Sequence, residues 1–193
     1  MILCDTEINA LIGTGMIDHA ATEQIRNGVI SYGTTSYGYD MRCADEWQLC
    51  ADEWQLHRAN NVLTAVIDPK QKNLHTLMMP VTASSITIPA GGFVLCRSVE
   101  YFRIPRDVVC MVVGKSTYAR CGLVVNCTPL EPGWEGHVTI ELSNTASLPI
   151  RVYANEGIAQ VLFFRGNPCA ISYADKGGKY QGQTGITLPT VER

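Results

Sequence analysis

From residue 85 onward, short β-rich runs alternate with turn-forming residues, and this pattern restricts the fold more than any other feature of the sequence. Val, Ile, Thr, Phe and Tyr favour strands, whereas the Pro, Gly and Asn between the runs favour tight turns. The predicted strands span residues 86–88, 93–97, 108–113, 123–127, 137–143, 150–153 and 158–164. Such short, frequent strands predict a mostly β fold, either a distorted barrel or a double-sheet jelly roll. At 193 residues, the chain is expected to form a single domain over residues 1–193.

The N-terminal region adds one short helix and further strands to this pattern. Apolar residues at positions 8, 11 and 12 follow helical spacing, with Asp5 predicted as the cap and glycines at 13 and 15 ending the helix. Residues 28–40 mix β-forming residues with glycines, which predicts strands joined by tight turns. The tail, residues 167–193, is rich in Gly, Lys, Gln and Tyr and is predicted to be a loop or mobile arm.

The charge and cysteine patterns argue against several functional classes. The net charge of −3, without a Lys/Arg cluster, argues against binding to polymeric nucleic acid, so any phosphate that is recognised belongs to a small molecule. The eight cysteines form no CxxC pair, which favours free, mostly buried thiols. No apolar stretch reaches the roughly 18 residues of a membrane span, and no basic residues precede an apolar run at the N terminus. We therefore expect a cytoplasmic protein without membrane contact.

One short segment is duplicated in tandem. The sequence CADEWQL occupies residues 43–49 and is repeated at once over residues 50–56. Two copies of seven residues are too few for a repeat fold or a coiled coil. We interpret the second copy as a local insertion that is accommodated as a bulged loop.

The turn after the predicted strand at 108–113 has the side chains that a triphosphate requires. Lys115, Ser116, Thr117 and Arg120 supply two cations and two hydroxyl groups. Donor groups can approach phosphate oxygens there while the cations supply charge. The turn is not a P-loop, which would need glycine at position 109, where this chain has valine. Taken alone, such a turn is more often a solvated strand end.

The predicted strand at 137–143 alternates polar and apolar residues. Glu141 therefore shares one face with His137 and Thr139. An alternating strand ordinarily turns such a face to solvent. His137 and Glu141 could also be a metal pair, but two ligands without a third make a poor metal site, and we predict a surface histidine at 137.

Five segments together carry a family resemblance: ISYGTTSYGYDMRCADE, SVEYFRIP, GKSTYARCGLVVNCTPLEPGWEGHVTIELSNT, LPIRVYANEGIAQVLFF and YADKGGKYQGQTGITLP. They resemble the dCTP deaminase family of the dUTPase-like superfamily and cover most of the chain. The resemblance implies a dUTPase-like distorted β-barrel or jelly roll, the β-clip fold, with a short N-terminal helix. It also implies hydrolytic deamination of dCTP to dUTP and ammonia, which would supply dUTP for dUMP and dTTP synthesis.

The resemblance further implies roles for individual residues. Glu141 matches the family's catalytic carboxylate, Ser116 would help to hold the attacking water, and Arg120 would position the carboxylate and the water. Glu131 matches an acidic residue near the deoxyribose. The substrate-binding residues implied by the resemblance are Lys115, Ser116, Thr117, Tyr118, Ala119, Arg120, Glu131, Thr139, Ile140, Glu141, Gln160, Tyr173, Lys179, Tyr180 and Gln183.

Cytosine deamination requires water at C4 and protons at N3 and at the amino group, and one carboxylate beside the ring can relay them all. Zinc-dependent deaminases carry HxE and PCxxC motifs, and this sequence has neither, so we expect no zinc and no protein-bound metal. Mg²⁺ is expected only on the substrate triphosphate. The family forms homotrimers with active sites between subunits, so the resemblance implies the same here. The tail is expected to act as a lid, and dTTP is a candidate feedback inhibitor.

Two other functions remain open at the level of sequence. A dUTP diphosphatase shares the fold and the phosphate-binding turn, but it typically carries Gly-x-Ile-Asp-x-x-Tyr, where this chain has Thr-Pro-Leu-Glu-Pro-Gly-Trp at 128–134. A deaminase that also has diphosphatase activity is a related possibility. A non-catalytic nucleotide-binding trimer is the third, and Glu141 argues against it.

Overall fold

The protein is built mainly from antiparallel β-strands. A computed structural model describes residues 1–50, 67–70 and 78–190. In chain order, these residues form α1 (Asp5–Gly13), β1 (Ile17–Asp18), β2 (Gly33–Thr35), β3 (Gly38–Cys50), β4 (Met78–Thr82), β5 (Ser85–Ile88), β6 (Phe93–Arg103), β7 (Val108–Gly114), α2 (Ser116–Ala119), β8 (Leu123–Asn126), β9 (Glu135–Asn144), β10 (Ile150–Tyr153) and β11 (Gly157–Arg165).

The strands form a curled sheet. Within the described residues, the larger sheet has nine strands with the central order β7-β11-β3-β6-β9-β8, while β1, β2 and β4 pair along its margins. β7 and β8, at the two ends of this order, lie next to each other, so the sheet is a nearly closed barrel. β5 and β10 form a separate antiparallel pair. The mostly β, barrel-like fold with a short N-terminal helix that the sequence predicts is confirmed.

The core lies inside this barrel. Its largest fully buried side chains include Tyr39 and Trp47 of β3, Phe102 of β6 and Phe163 of β11. In β9 every second residue is buried, including Val138, Ile140 and Leu142, as the alternating sequence predicts. Each of the seven predicted runs is a strand, and β6 extends six residues beyond its predicted end at position 97. β9 therefore presents its other face, with Glu141, away from the core.

The helices are short. α1 begins at Asp5, but its N-cap is Cys4, so the prediction that Asp5 caps the helix is wrong by one residue. The Cys4 backbone is extended and its N–H donates to Oε2 of Glu7 at 3.1 Å, whereas the carboxylate of Asp5 accepts the N–H of Thr6. The predicted turn after β7 contains the four-residue helix α2. No helix in the described part of the chain is long and apolar enough to cross a membrane.

The first CADEWQL copy, residues 43–49, lies within β3. Trp47 is buried there, and its Nε1–H donates to the carbonyl oxygen of Ala83 at 3.0 Å. Cys50, which starts the second copy, ends β3 and pairs with Met78 of β4. Residues 51–56 lie outside the described residues, so the predicted bulged loop stays a prediction.

Candidate active site

The polar face of β9 lies beneath the C-terminal tail. The backbone N–H of His137 donates to the carbonyl oxygen of Gln183 at 2.9 Å, and the hydroxyl of Thr139 donates to Oε1 of Gln183 at 3.3 Å. Thr139 Oγ1 also accepts the N–H of Thr187 at 3.1 Å. Strand and tail thereby enclose a cavity of about 610 Å³, here called the first cavity, a volume that suits a small-molecule ligand.

The first cavity combines apolar walls with polar groups. Its apolar side chains include Phe93, Leu95, Leu130, Trp134 and Val138. Such walls can pack against the faces of a flat ring while polar groups fix its orientation. The structure brings these predicted substrate-binding residues together in its lining: Glu131, Thr139, Glu141, Tyr173, Lys179, Tyr180 and Gln183.

Glu141 is the chemically distinctive residue of the first cavity. Its strand neighbours are Leu95 on β6 and Asn126 on β8. Burial raises the pKa of its carboxyl group to about 7, and hydrogen bonds with its own backbone and with the Cys127 thiol offset only part of this effect. Its Oε2 atom is buried and has no hydrogen-bond partner among the described residues. A carboxyl group with a pKa near neutrality and an uncommitted oxygen is suited to accept and return protons.

The other polar residues of the first cavity are held by the tail. Lys176 Nζ donates to Oε2 of Glu131 at 2.9 Å, in an ion pair whose partners are both about half exposed. The Nε1–H of Trp134 donates to the carbonyl oxygen of Tyr180 at 2.8 Å. Lys179 Nζ lies 5.1 Å from the centre of the Tyr180 ring. These contacts place the charged groups of Glu131 and Lys179 at the wall of the cavity.

The tail is fastened at both ends of the first cavity. At its start, Arg106 forms an ion pair with Asp175 at 2.8 Å. Near its end, Ile186 and Leu188 pack in an apolar cluster with Leu95 of β6. Residues 167–190 form no helix or named strand, as predicted for a loop. Whether this tail moves as a lid stays a prediction.

A second cavity, of about 540 Å³, lies where α2 meets β3 and β11. It contains predicted residues that the first cavity lacks, namely Lys115, Ser116, Thr117 and Gln160. Lys115 is not free, because its Nζ atom donates to Oδ2 of Asp40 at 2.5 Å. Among the residues that the structure describes, none lines both cavities. Within a single chain, the predicted site residues that line a cavity therefore fall into two separate groups.

Four predicted residues line neither cavity. Ala119 and Arg120 are exposed at the end of α2, and Arg120 Nη1 donates to the carbonyl oxygen of Ser116 at 3.1 Å. Tyr118 and Ile140 are buried in the core. The Tyr118 hydroxyl accepts the backbone N–H of Tyr153 at 3.1 Å, so this side chain anchors α2.

Several cavity residues were not predicted from the sequence. Gln24, Arg26 and Asp40 of the second cavity lie in loops or strands distant in sequence from the motif residues. Trp134 of the first cavity lies within the motif segment, between Glu131 and Thr139. The SYGYD segment, which ends at Asp40, was itself part of the resemblance and could have directed attention there. Arg26 lies outside the segments that carry the resemblance, and no sequence pattern pointed to it.

His137 differs from its predicted surface role. Its ring is partly buried, its Nδ1 atom lies 3.0 Å from the carbonyl oxygen of Glu100, and its ring meets the Tyr101 ring edge-on at a centroid distance of 5.2 Å. Burial is the largest influence on its pKa, which is lowered. Across the described ranges, no three His, Cys, Asp or Glu side chains are grouped so that they could hold a metal ion.

Comparison with known proteins identifies the family. Residues 2–166 match the family described as dCTP deaminase-like. The chain belongs to the dCTP deaminase-like family. One relative, named dCTP deaminase, is from Herpetosiphon aurantiacus and is 56% identical over 92% of this chain and 91% of the relative. Another, also named dCTP deaminase, is from Rhodospirillum centenum and is 54% identical over 97% of this chain and 98% of the relative.

A solved structure supports the same fold. The crystal structure of 2'-deoxycytidine 5'-triphosphate deaminase from Agrobacterium tumefaciens superposes with a TM-score of 0.63 at 17% identity over 86% of this chain. The chain spans about half of that structure, 48% of its length. At this identity the likeness supports the fold alone.

Proposed function

We propose that this member of the dCTP deaminase-like family hydrolyses dCTP to dUTP and ammonia. Two of its relatives, at 56% and 54% identity, are named dCTP deaminase. The observation that carries the proposal is Glu141, a carboxyl group whose pKa is raised to about 7 and which faces a cavity with apolar walls. The reaction would supply dUTP for dUMP and dTTP synthesis in the cytoplasm.

Glu141 is the proton-transfer group of the proposed reaction. Its carboxylate takes one proton from water as the water oxygen bonds to C4 of the cytosine ring, and delivers this proton to N3. It then takes the second proton from the new C4 hydroxyl and delivers it to the amino group, so that the C4–N bond breaks, C4=O forms and ammonia leaves. A pKa of about 7 suits both steps, because the group accepts and releases protons readily near neutral pH. Ser116 would help to hold the water, and Arg120 would orient the carboxylate and the water.

The substrate triphosphate is bound by groups from both the first and the second cavity. Ser116, Thr117, Tyr173 and Lys179 supply hydroxyl and ammonium donors. Mg²⁺ reaches the site as part of the substrate, coordinated mainly by phosphate oxygens, which would require few protein ligands. Zinc independence is proposed on the sequence, which lacks the HxE and PCxxC motifs. Feedback inhibition by dTTP would use the same triphosphate contacts.

The complete site is proposed to form between subunits of a homotrimer. In one protomer, Glu141 lines the first cavity while Ser116 and Thr117 line the second, so a neighbouring copy is needed to bring the groups together. An apolar stripe on β7 supports such packing, because Val109, Met111 and Val113 point outward and are 37%, 50% and 37% exposed. Outward-facing apolar side chains in a row are typical of an interface.

The test incubates the purified protein with Mg²⁺ and either dCTP or dUTP, then separates the products. The proposal expects dUTP and ammonia from dCTP and no change in dUTP. Formation of dUMP and pyrophosphate from dUTP would indicate a diphosphatase, and binding without turnover would indicate a nucleotide-binding protein. A parallel reaction after treatment with a tight zinc chelator should proceed at an undiminished rate. Activity that returned only with Zn²⁺ would refute the zinc-free mechanism.

A further inference from the structure

Polar side chains of the second cavity form a continuous chain of hydrogen bonds. Lys115 Nζ donates to Asp40 Oδ2 at 2.5 Å, and Gln24 Nε2 donates to the same oxygen at 3.1 Å. Gln24 Oε1 accepts from Nε of Arg26 at 2.9 Å and also from its Nη2. The chain therefore runs Arg26–Gln24–Asp40–Lys115 along the cavity wall.

The chemistry of the outer members fixes the direction of this chain. A carboxylate only accepts hydrogen bonds and a guanidinium only donates them. The side-chain amide of Gln24 must therefore direct its NH₂ group to Asp40 and its carbonyl oxygen to Arg26. One edge of the Arg26 guanidinium is held by Gln24, which orients the remaining N–H groups.

The two cations of this chain differ in how far their charge is compensated. The side chains of Lys115 and Asp40 are only 10% and 4% exposed, and they form a nearly enclosed ion pair. Breaking such a pair would leave a buried charge without a partner. Arg26 is exposed, and its contacts within the cavity wall are to the neutral amide of Gln24. Arg26 therefore offers positive charge to an incoming anion, whereas Lys115 is occupied by Asp40.

We propose that Arg26 binds the phosphate groups of the nucleotide, with Gln24 and Asp40 as positioning residues. The proposal rests on the proposed function, since it places the triphosphate end of dCTP in the second cavity. A planar guanidinium with a preset orientation can bind two phosphate oxygens at once. Lys115 balances the charge of Asp40 and so keeps the hydrogen-bonded chain in place.

The experiment measures the binding of dCMP, dCDP and dCTP by calorimetry, in a Glu141→Gln background to suppress turnover. Arg26→Ala should weaken dCTP binding by about 10- to 100-fold, the range for a lost charge-assisted hydrogen bond, and dCMP binding much less. Arg26→Lys should fall between, because it keeps the charge but loses the planar fork. Arg151→Ala is the matched control, since Arg151 is an exposed arginine on β10 that lines neither cavity.

Unchanged dCTP affinity in Arg26→Ala, or equal losses for dCMP and dCTP, would overturn the assignment. Asp40→Asn, made in the protein with Glu141 intact, tests positioning: the KM for dCTP should rise while kcat stays within about threefold, and a fall in kcat at unchanged KM would contradict the positioning role. If Asp40→Asn does not fold, Gln24→Ala gives the same readout. A wild-type protein that does not deaminate dCTP would defeat the proposed function, whereas a loss that grows with phosphate number would still support Arg26.

Discussion

At the scale of single residues, Glu141 combines burial with a free carboxylate oxygen. Placing a carboxyl group among apolar neighbours such as Leu95 disfavours its charged form, and this is the main cause of its raised pKa. A carboxyl group whose pKa is raised by burial lowers the stability of the folded protein whenever the group is charged. Such a loss of stability is common at active sites, because the shifted pKa also makes the carboxyl group reactive.

Glu141 should therefore lower the stability of the protein as pH rises from about 4.5, the ordinary value, to about 7. In this window the folded state holds the proton more tightly than the unfolded state, so the free energy of unfolding falls and the loss is complete above pH 7. Glu141→Gln should then be more stable than wild type at pH 8 by roughly 1 to 3 kcal/mol, and no more stable at pH 4.5. Urea unfolding at the two pH values measures the difference.

Glu135→Gln is the control for this comparison. Glu135 lies on the same face of β9, but its side chain is 43% exposed and its Oε2 atom lies 3.9 Å from Nε of Arg103. Its substitution should give no gain in stability at pH 8. A gain for Glu141→Gln that is the same at both pH values would show that the substitution acts through packing rather than through the raised pKa.

At the scale of elements, the tail and β9 must stay in register to enclose the first cavity. Gly178 is critical to this arrangement, because a Cβ atom there would lie 2.0 Å from the Tyr173 ring. Tyr173 in turn accepts the N–H of Tyr180 with its hydroxyl at 3.1 Å. The chain can approach the ring this closely only with glycine at position 178.

Gly178→Ala should displace the tail and open the first cavity. We expect the KM for dCTP to rise at least about tenfold and the raised pKa of Glu141 to fall toward its ordinary value, because water would reach the carboxylate. Steady-state kinetics across pH measure both effects. Gly185→Ala is the control, since a Cβ atom there would have no neighbour within 4 Å. Normal kinetics in Gly178→Ala would mean that the tail is not needed around the substrate.

The strands from β5 to β11 could be predicted from the sequence because each is a local pattern. The alternation in β9 alone predicted that Glu141 and Thr139 share a face. The first CADEWQL copy was not predicted as strand, since its charged residues mask the pattern that buries Trp47. The covering of the polar face by the tail depends on contacts between residues far apart in sequence, such as Thr139 and Gln183, and no local pattern indicates it.

At the scale of the whole molecule, the predicted site residues are divided between two cavities of one chain. Ser116 and Thr117 are close in sequence to Glu141, but they line a different cavity of the same chain. The resemblance implied that they act together, but the sequence carries no sign of which copy supplies each group. In the homotrimer proposed above, the packing of subunits would bring these groups together.

Two inactive variants should therefore restore activity to each other. Ser116→Ala and Glu141→Gln, unfolded together and refolded as a mixture, should form trimers in which some sites combine the intact Glu141 of one chain with the intact Ser116 of another. Random mixing of equal amounts leaves about a quarter of the sites complete. Deaminase assays of the mixture and of each variant refolded alone measure the recovery. No recovery in mixed trimers would place the complete site within one chain.

Deleting the second CADEWQL copy, residues 50–56, tests whether the barrel accommodates this copy as an insertion. Deleting residues 50–56 should leave folding and activity intact or improved, because the entropy cost of a longer loop grows only logarithmically. Circular dichroism, thermal unfolding and the deaminase assay measure the outcome. An insoluble or inactive deletion variant would mean that the second copy has become part of the core or of a subunit contact.

The proposed role of Glu141 in transferring protons during the deamination of dCTP is tested most directly by comparing turnover in matched variants. Ammonia and dUTP are measured for wild type, Glu141→Gln and Glu135→Gln, with dCTP binding measured in parallel. Glu141→Gln should bind dCTP but lose turnover by at least about 100-fold, the usual range for general acid–base groups, while Glu135→Gln should remain active. Near-normal deamination by Glu141→Gln would contradict the proposed role of this residue.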